Sequence, residues 1–256
     1  MSASPRTSRF LRWGYRRYLL GGWPFWRGML AKNFEAVRLL EPVPQIPAGK
    51  RAFALNHPGW WDPLAAEVLA AHLTPDRAPV GPMDAEVVRA APILERLGAF
   101  PVEQRSIGGA KAFLRIAKAV LDDPALDLWL TPEGTFRSPD ERPLRFAPGL
   151  GRLMAADPTL HVIPVAIRYD FWAERRSQLL LAVGEPSTRQ GVTAAGVATG
   201  DVVTGDAPVR SGECTRFLEG RLTETLDRLT KASISRDSGL FRTLGRPGTD
   251  RVPPLR

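Results

Sequence analysis

Arg51-Ala52-Phe53-Ala54-Leu55-Asn56-His57-Pro58-Gly59-Trp60-Trp61-Asp62-Pro63 is the stretch on which the reading of this chain turns. Its first five residues read as a strand. The Ala- and Leu-rich run from 63 to about 73 reads as a helix. Pro58 and Gly59 shape the turn between them. Asp62 followed by Pro63 reads as an N-cap with proline at the first helical position. A strand that passes through a tight turn into a helix is the unit from which parallel α/β sheets are built.

The pattern repeats along the chain. Two short helices about Pro92 lead into an extended segment, Ala99–Val102, and then an amphipathic helix over Gly109–Leu121. Asp127–Thr131 reads as a buried strand ending in Pro132-Glu133-Gly134-Thr135. A short helix near 149–156 precedes two apolar strands, Val162–Ile167 and Leu179–Val183. Residues 187–212 read as a long loop, Glu213–Lys231 as a helix, and the last residues as a flexible tail. Strands that are continuous apolar runs are covered on both faces. The expected fold is therefore α/β, with a mixed, mostly parallel central sheet flanked by helices. Sites in such sheets form beyond the carboxyl ends of strands. His57 and Glu133 both follow predicted strands, so they are expected to share a cleft.

Composition narrows the class of protein. The 256 residues, with 44% hydrophobic and 24% charged side chains, suit a globular domain with a sizeable core. One cysteine, Cys214, excludes an internal disulfide framework and a multi-cysteine metal site. The net charge of +8 is concentrated at one end: residues 1–38 hold seven Arg and one Lys against Glu35, or +7. Eight of the 21 aromatic residues lie between Phe10 and Phe34, which makes the same segment ring-rich as well as basic. Arginine mixed with Trp and Tyr suits the headgroup boundary of an anionic bilayer better than nucleic acid. No uncharged apolar stretch reaches the roughly 20 residues of a spanning helix. The expectation is a helical pair, about 9–20 and 25–40, that holds a cytoplasmic protein at the inner face of the cell membrane.

Three histidines are present. His72 falls within an Ala/Leu helix and His161 opens a strand, both structural settings. His57 sits in the turn, five residues before Asp62. A neutral imidazole is a usable base near neutral pH, and a carboxylate on its other nitrogen fixes the tautomer. The plainer reading of Asp62 is a helix cap. In the second turn, Gly134 permits close backbone approach to an anion. Thr135, Arg137 and Ser138 add donors suited to phosphate oxygens. A serine nucleophile elbow, a phosphate-binding P-loop and a dinucleotide fingerprint are all missing from the sequence.

These segments together resemble the glycerolphosphate and lysophospholipid acyltransferase superfamily. Its first motif, Asn-His followed by Asp four residues after the His-adjacent position, is matched by Asn56, His57 and Asp62. Its Pro-Glu-Gly-Thr motif is matched by Pro132–Thr135, and its apolar strand with a central proline by Val162-Ile163-Pro164-Val165-Ala166-Ile167. Gly98 to Arg105 is similar to the family's second motif but one residue longer. Phe136 stands where many members carry arginine, which here comes one place later as Arg137. The resemblance covers about residues 50–185.

The resemblance implies an enzyme without a covalent intermediate. His57, held by Asp62, would deprotonate the acceptor hydroxyl, which attacks an acyl thioester. Arg105, Glu133, Gly134, Thr135 and Arg137 would shape the acceptor's phosphate site, Glu133 by orienting an arginine or the turn. No metal and no cofactor are implied beyond acyl-CoA or acyl carrier protein as co-substrate. The expected partners are a lipid acceptor, that donor and an anionic membrane surface, with no nucleic acid. The expected acceptor is a lysophospholipid such as 1-acylglycerol-3-phosphate. A non-phosphate lipid, such as a lyso-ornithine lipid or a glycosylated isoprenoid, is the alternative, and a non-enzymatic membrane-binding protein is the other. The expected organisation is a membrane-associating arm over 1–40, an acyltransferase domain over 41–232 and a flexible tail over 233–256.

Overall fold

Val162, Ile163, Val165, Ala166 and Ile167 are consecutive apart from Pro164 and all fully buried, so the strand that carries them is covered on both faces. In the computed structural model, which describes residues 33–104, 106–198 and 209–245, that strand lies inside an eight-stranded sheet. In chain order the elements are β1 (Phe34–Leu40), β2 (Arg51–Leu55), α1 (Asp62–Leu73), β3 (Ala78–Asp84), α2 (Ala85–Ala90), α3 (Ile93–Leu97) and β4 (Ala99–Val102). There follow α4 (Ile107–Asp122), β5 (Leu126–Leu130), α5 (Gly149–Ala156), β6 (His161–Asp170) and β7 (Ser177–Val183). The chain closes with α6 (Arg189–Ala198), α7 (Ser211–Ser235), a 3-10 turn (Ser238–Leu240) and β8 (Phe241–Gly245).

The strand order is β4-β3-β5-β2-β6-β7-β1-β8. Pairing is parallel everywhere except between β6 and β7 and between β1 and β8. The sheet is mixed and mostly parallel, as the sequence pattern indicates. Successive side chains on β2 and β6 serve two cores. Ala52, Ala54, Val162 and Ala166 face α4, α5 and α7, through residues such as Val120, Met154 and Leu222. Phe53, Leu55, Ile163, Val165 and Ile167 face α1, through Leu64, Val68 and Leu69. The alternation follows from the strand's period of two residues. Among the described residues no helix is long and apolar enough to cross a membrane.

Several expectations are corrected. The helix expected over 25–40 does not extend to residue 40: 34–40 is strand β1, and 25–32 lies outside the described residues, as does the helix at 9–20. Spacing misleads here because Phe34, Ala36, Val37, Leu39 and Leu40 are all buried, with β7 and β8 bonded on either side. A strand covered on both faces has no polar side to reveal its period. The arm drawn over 1–40 therefore ends inside the sheet. The tail drawn over 233–256 likewise begins inside α7, and β8 returns to pair with β1 and buries Phe241 and Leu244. Part of the expected loop 187–212 is helix α6, with Val192 buried. Strand β3 was not expected; Pro79, Gly81 and Pro82 interrupt any strand pattern there. Gly81 suits the strand because a Cβ there would stand 2.2 Å from the Trp129 carbonyl oxygen.

Helix α7 lies against α5 at Gly151, where a Cβ would stand 2.1 Å from Thr215 Oγ1 and 2.5 Å from the Ser211 carbonyl oxygen. Gly220, in the same α7, has nothing within 4 Å of its Cβ position. The two glycines should therefore respond oppositely. Gly151→Ala should destabilise the protein by about 1–3 kcal/mol through overpacking, and Gly220→Ala should stabilise it by about 0.5–1 kcal/mol through helix propensity. Denaturant titration of the two variants measures both, and equal shifts of the same sign would contradict this packing of α5 on α7.

Candidate active site

The carboxyl ends of β5, β2 and β6 lie side by side in the sheet, and the loops that leave them build one site. Asn56, the first residue beyond β2, is buried. Its side-chain amide donates to the Ile167 carbonyl at 2.9 Å, and its side-chain oxygen accepts from the Ile167 N–H at 2.8 Å. A side chain thus continues the β2–β6 ladder where the backbone turns away. That frees the next residue, His57, to leave the sheet. The Arg137 N–H donates to the His57 carbonyl at 2.9 Å, which fastens the loop after β5 to the loop after β2.

His57 Nδ1 lies 2.6 Å from Asp62 Oδ2. An ionised carboxylate only accepts, so Nδ1 carries the proton and Nε2 holds the free lone pair. The Gly59 N–H donates to the same Asp62 oxygen at 3.2 Å. The Tyr169 hydroxyl donates to the other oxygen, Oδ1, at 2.5 Å. Burial pushes the Tyr169 phenol far above its ordinary range, and the Asp62 charge adds to the effect, so the hydroxyl stays protonated and donates. Asp62 itself is buried. The cap reading of Asp62 is corrected: Trp61 occupies the cap position, no side chain caps the helix, and Asp62 is the first residue of α1. Its carboxylate turns back to the His57 loop instead.

The second loop lies beside this pair. Gly134 adopts a positive φ of 66°, a conformation that favours glycine, and closes a turn with its N–H on the Thr131 carbonyl. The Phe136 ring lies 4.4 Å from the His57 ring between centroids and is largely exposed. The Glu133 side chain is only 2% exposed, and its Oε1 has no hydrogen-bond partner. Burial pushes the Glu133 carboxyl up, against the opposing pull of the Arg145 backbone N–H and the Arg137 charge. Arg137 stands 3.8 Å from Glu133 and 2.5 Å from Glu141, so two carboxylates already attend its guanidinium. Thr135 and Ser138 are exposed on the same turn.

The rest of this loop is tied to the body of the protein. The Phe146 N–H donates to Glu219 at 2.8 Å, and Arg142 pairs with Asp227 at 2.6 Å, both on α7. Arg168 of β6 pairs with Asp140 at 2.5 Å and donates to Thr230 at 3.1 Å. The pair with Arg168 holds the Asp140 carboxyl below its ordinary range.

His57, Asp62, Glu133, Gly134, Thr135 and Arg137 are therefore together at one edge of the sheet. Arg105 lies outside the described residues. His72 bonds the Val68 carbonyl within α1, and His161 opens β6 at the opposite edge, so neither belongs to the site. Tyr169 and the clamping role of Asn56 escaped the sequence reading. Tyr169 sits two residues past Ile167 at the end of the neighbouring strand, but strand order is not legible in a sequence. Among the described residues no group of three or more His, Cys, Asp or Glu could hold a metal ion.

The sequence pattern of the Acyltransferase family matches residues 36–168, just over half of the 256 residues and all of the site's described loops up to β6. The chain belongs to the Acyltransferase family. This acyltransferase is also similar to a solved structure, the 1-acyl-sn-glycerophosphate (LPA) acyltransferase PlsC from Thermotoga maritima. The identity is 17% and the TM-score 0.50, over 85% of this chain and 83% of that one, a likeness of fold. Comparison with curated proteins found no match.

The Glu133 carboxyl binds its proton more tightly in the folded acyltransferase than in the unfolded chain. Folding therefore takes up a proton there, and stability should fall as pH rises out of the ordinary glutamate range. Glu133→Gln should flatten that part of the stability curve. Denaturant unfolding between about pH 4 and 7 checks this, and an unchanged slope in the variant would contradict it.

Proposed function

We propose that this acyltransferase moves a fatty acyl group from acyl-CoA or acyl carrier protein to the hydroxyl of a lysophospholipid such as 1-acylglycerol-3-phosphate. The observation that carries the reading is the His57–Asp62 pair, with His57 Nδ1 committed to the carboxylate and the Gly134 turn fastened alongside. Likeness of fold to an acyltransferase of 1-acylglycerol-3-phosphate supports the substrate class.

In this mechanism Nε2 of His57 takes the proton of the acceptor hydroxyl as its oxygen attacks the thioester carbonyl carbon. The carbon–oxygen bond forms, the carbon–sulfur bond then breaks, and the imidazolium returns its proton to the departing thiolate. Asp62 stabilises the imidazolium while it exists. No cofactor is required beyond the thioester co-substrate. The acceptor's phosphate would rest against the turn at Gly134, Thr135 and Ser138, with Arg137 and Arg105 as cationic partners. The protein would work as a peripheral one at the inner face of the cell membrane, drawn there by the basic, ring-rich residues 1–32.

One observation favours a second acceptor class. Arg137 already faces Glu133 and Glu141, so a phosphate monoester must compete with two carboxylates for one guanidinium. A lipid acceptor without a phosphate monoester avoids that competition. Thiol release from acyl-CoA, measured with lysophosphatidic acid and with a neutral or zwitterionic hydroxylated lipid in parallel, separates the two readings.

Three substitutions grade the mechanism. His57→Ala should abolish acyl transfer with the fold intact. Asp62→Asn should lower kcat by roughly two to four orders of magnitude, by analogy with amide replacements in other His–Asp pairs. Tyr169→Phe removes only the hydroxyl that steadies the far oxygen of Asp62, and should lower kcat by about tenfold with KM unchanged. Full activity in Asp62→Asn, or a Tyr169→Phe loss confined to KM, would contradict these roles.

A further inference from the structure

The exposed apolar side chains of this protein are unevenly placed. Among the described residues, the five most exposed large ones are Ile107 at 79%, Ile234 at 76%, Trp60 and Phe171 at 66%, and Phe136 at 60%. They come from five separate segments, yet all lie at the carboxyl edge of the parallel strands. Trp60 follows β2, Phe136 follows β5 and Phe171 follows β6. Ile107 begins α4 just beyond the end of β4. Ile234 ends α7, whose Ser233 hydroxyl donates to Asp170 at the end of β6. The opposite edge is of another character. There Lys50 pairs with Asp122 and Asp157, and Arg51 and Arg77 pair with Asp127.

Scattered apolar side chains on a surface are ordinary; their collection around one site is not. The rings are also supported from beneath. Trp60 stacks on Trp61 with 4.5 Å between ring centroids, Trp61 meets Phe34 edge-on at 5.2 Å, and Phe34 stacks on Tyr169 at 5.7 Å. Phe136 lies against His57 itself. Anything that covered this rim permanently would close the approach to His57. The occupant that leaves the site open is the phase that supplies the substrate.

We infer that this rim is the surface by which the acyltransferase docks on a lipid bilayer, with Trp60, Phe136, Phe171, Ile107 and Ile234 entering the headgroup boundary around the His57–Asp62 pair. The inference rests on the proposed lipid acceptor and adds the orientation in which that acceptor is met. Trp and Phe are favoured at this depth, and their contribution is apolar, so it persists in salt. A bilayer-docked rim lets the acceptor hydroxyl, itself at the headgroup level, reach His57 without leaving the membrane. Contact through the basic residues 1–32 would instead fade as salt screens the charge.

The test uses the full chain and vesicle flotation. A variant with Ile107→Ser, Phe171→Ser and Ile234→Ser leaves His57, Asp62 and the loop after β5 untouched. On zwitterionic phosphatidylcholine vesicles in high salt it should bind roughly ten- to a hundredfold more weakly than the parent, from the apolar area withdrawn. Pro124→Ser, at an exposed apolar residue just ahead of β5 on the opposite edge, should bind as the parent does. Thermal unfolding of each variant shows whether the fold is kept; a triple variant that unfolds is replaced by the three single ones, whose smaller losses should add. Equal vesicle binding by folded rim variants and parent would overturn the inference. So would an equal loss from Pro124→Ser. A loss of transfer to vesicle-borne acceptor with unchanged transfer to a short-chain, monomeric acceptor would support it further. If neither acceptor is acylated by the parent, the proposed substrate fails, while the flotation result still judges the docking surface.

Discussion

The carboxylate of Asp62 accepts hydrogen bonds from three donors: the His57 imidazole, the Gly59 backbone and the Tyr169 hydroxyl. The rest of the site depends on that arrangement. The three donors come from the turn after β2 and the end of β6, and the carboxylate itself from the first turn of α1. A buried carboxylate with both oxygens hydrogen-bonded keeps its orientation. It therefore sets which His57 nitrogen carries the proton and which remains free to accept one. The sheet brings these groups together: β2 and β6 are neighbours, and Asn56 prolongs their ladder by one side-chain pair onto Ile167.

The loop after β5 reaches the same place by different means. Its turn depends on the left-handed Gly134, and its far half is held by α7 and β6 through Glu219, Asp227, Thr230 and Arg168. Arg137 couples the halves, with its backbone on His57 and its guanidinium between Glu133 and Glu141. The loop thus presents exposed hydroxyls at Thr135 and Ser138 near the imidazole, while its arginine is already balanced by acidic neighbours. That balance separates the two acceptor classes.

Much of the architecture was legible because apolar runs, turn residues and helix periods agreed. The strand at 51–55, the helix behind it and the apolar strand 162–167 were read from local pattern alone. His57 and Asp62 were legible from the same pattern, since the turn and the helix start fix their spacing. What escaped is long-range. Strand β1 was read as helix because both its faces are covered, and β3 was hidden by its prolines. Strand β8 was lost in an apparently plain tail, although it bonds β1 from some two hundred residues away. Tyr169 was missed for the same reason: its meeting with Asp62 depends on β6 lying beside β2, which no local signal encodes. For Asp62 only the local role, the helix cap, gives way, and the pairing with His57 stands in its place.

The most direct measurement of the central claim is a crystal structure of the protein with a hydroxylated lipid acceptor bound. The account predicts the acceptor hydroxyl within about 3 Å of His57 Nε2, the distance at which a general base takes a proton. It also predicts that the Nδ1–Asp62–Tyr169 chain stays intact and that the headgroup rests on the Gly134 turn. An acceptor seated at the amino edge near His161, or a hydroxyl turned away from His57 with its polar head elsewhere, would contradict it.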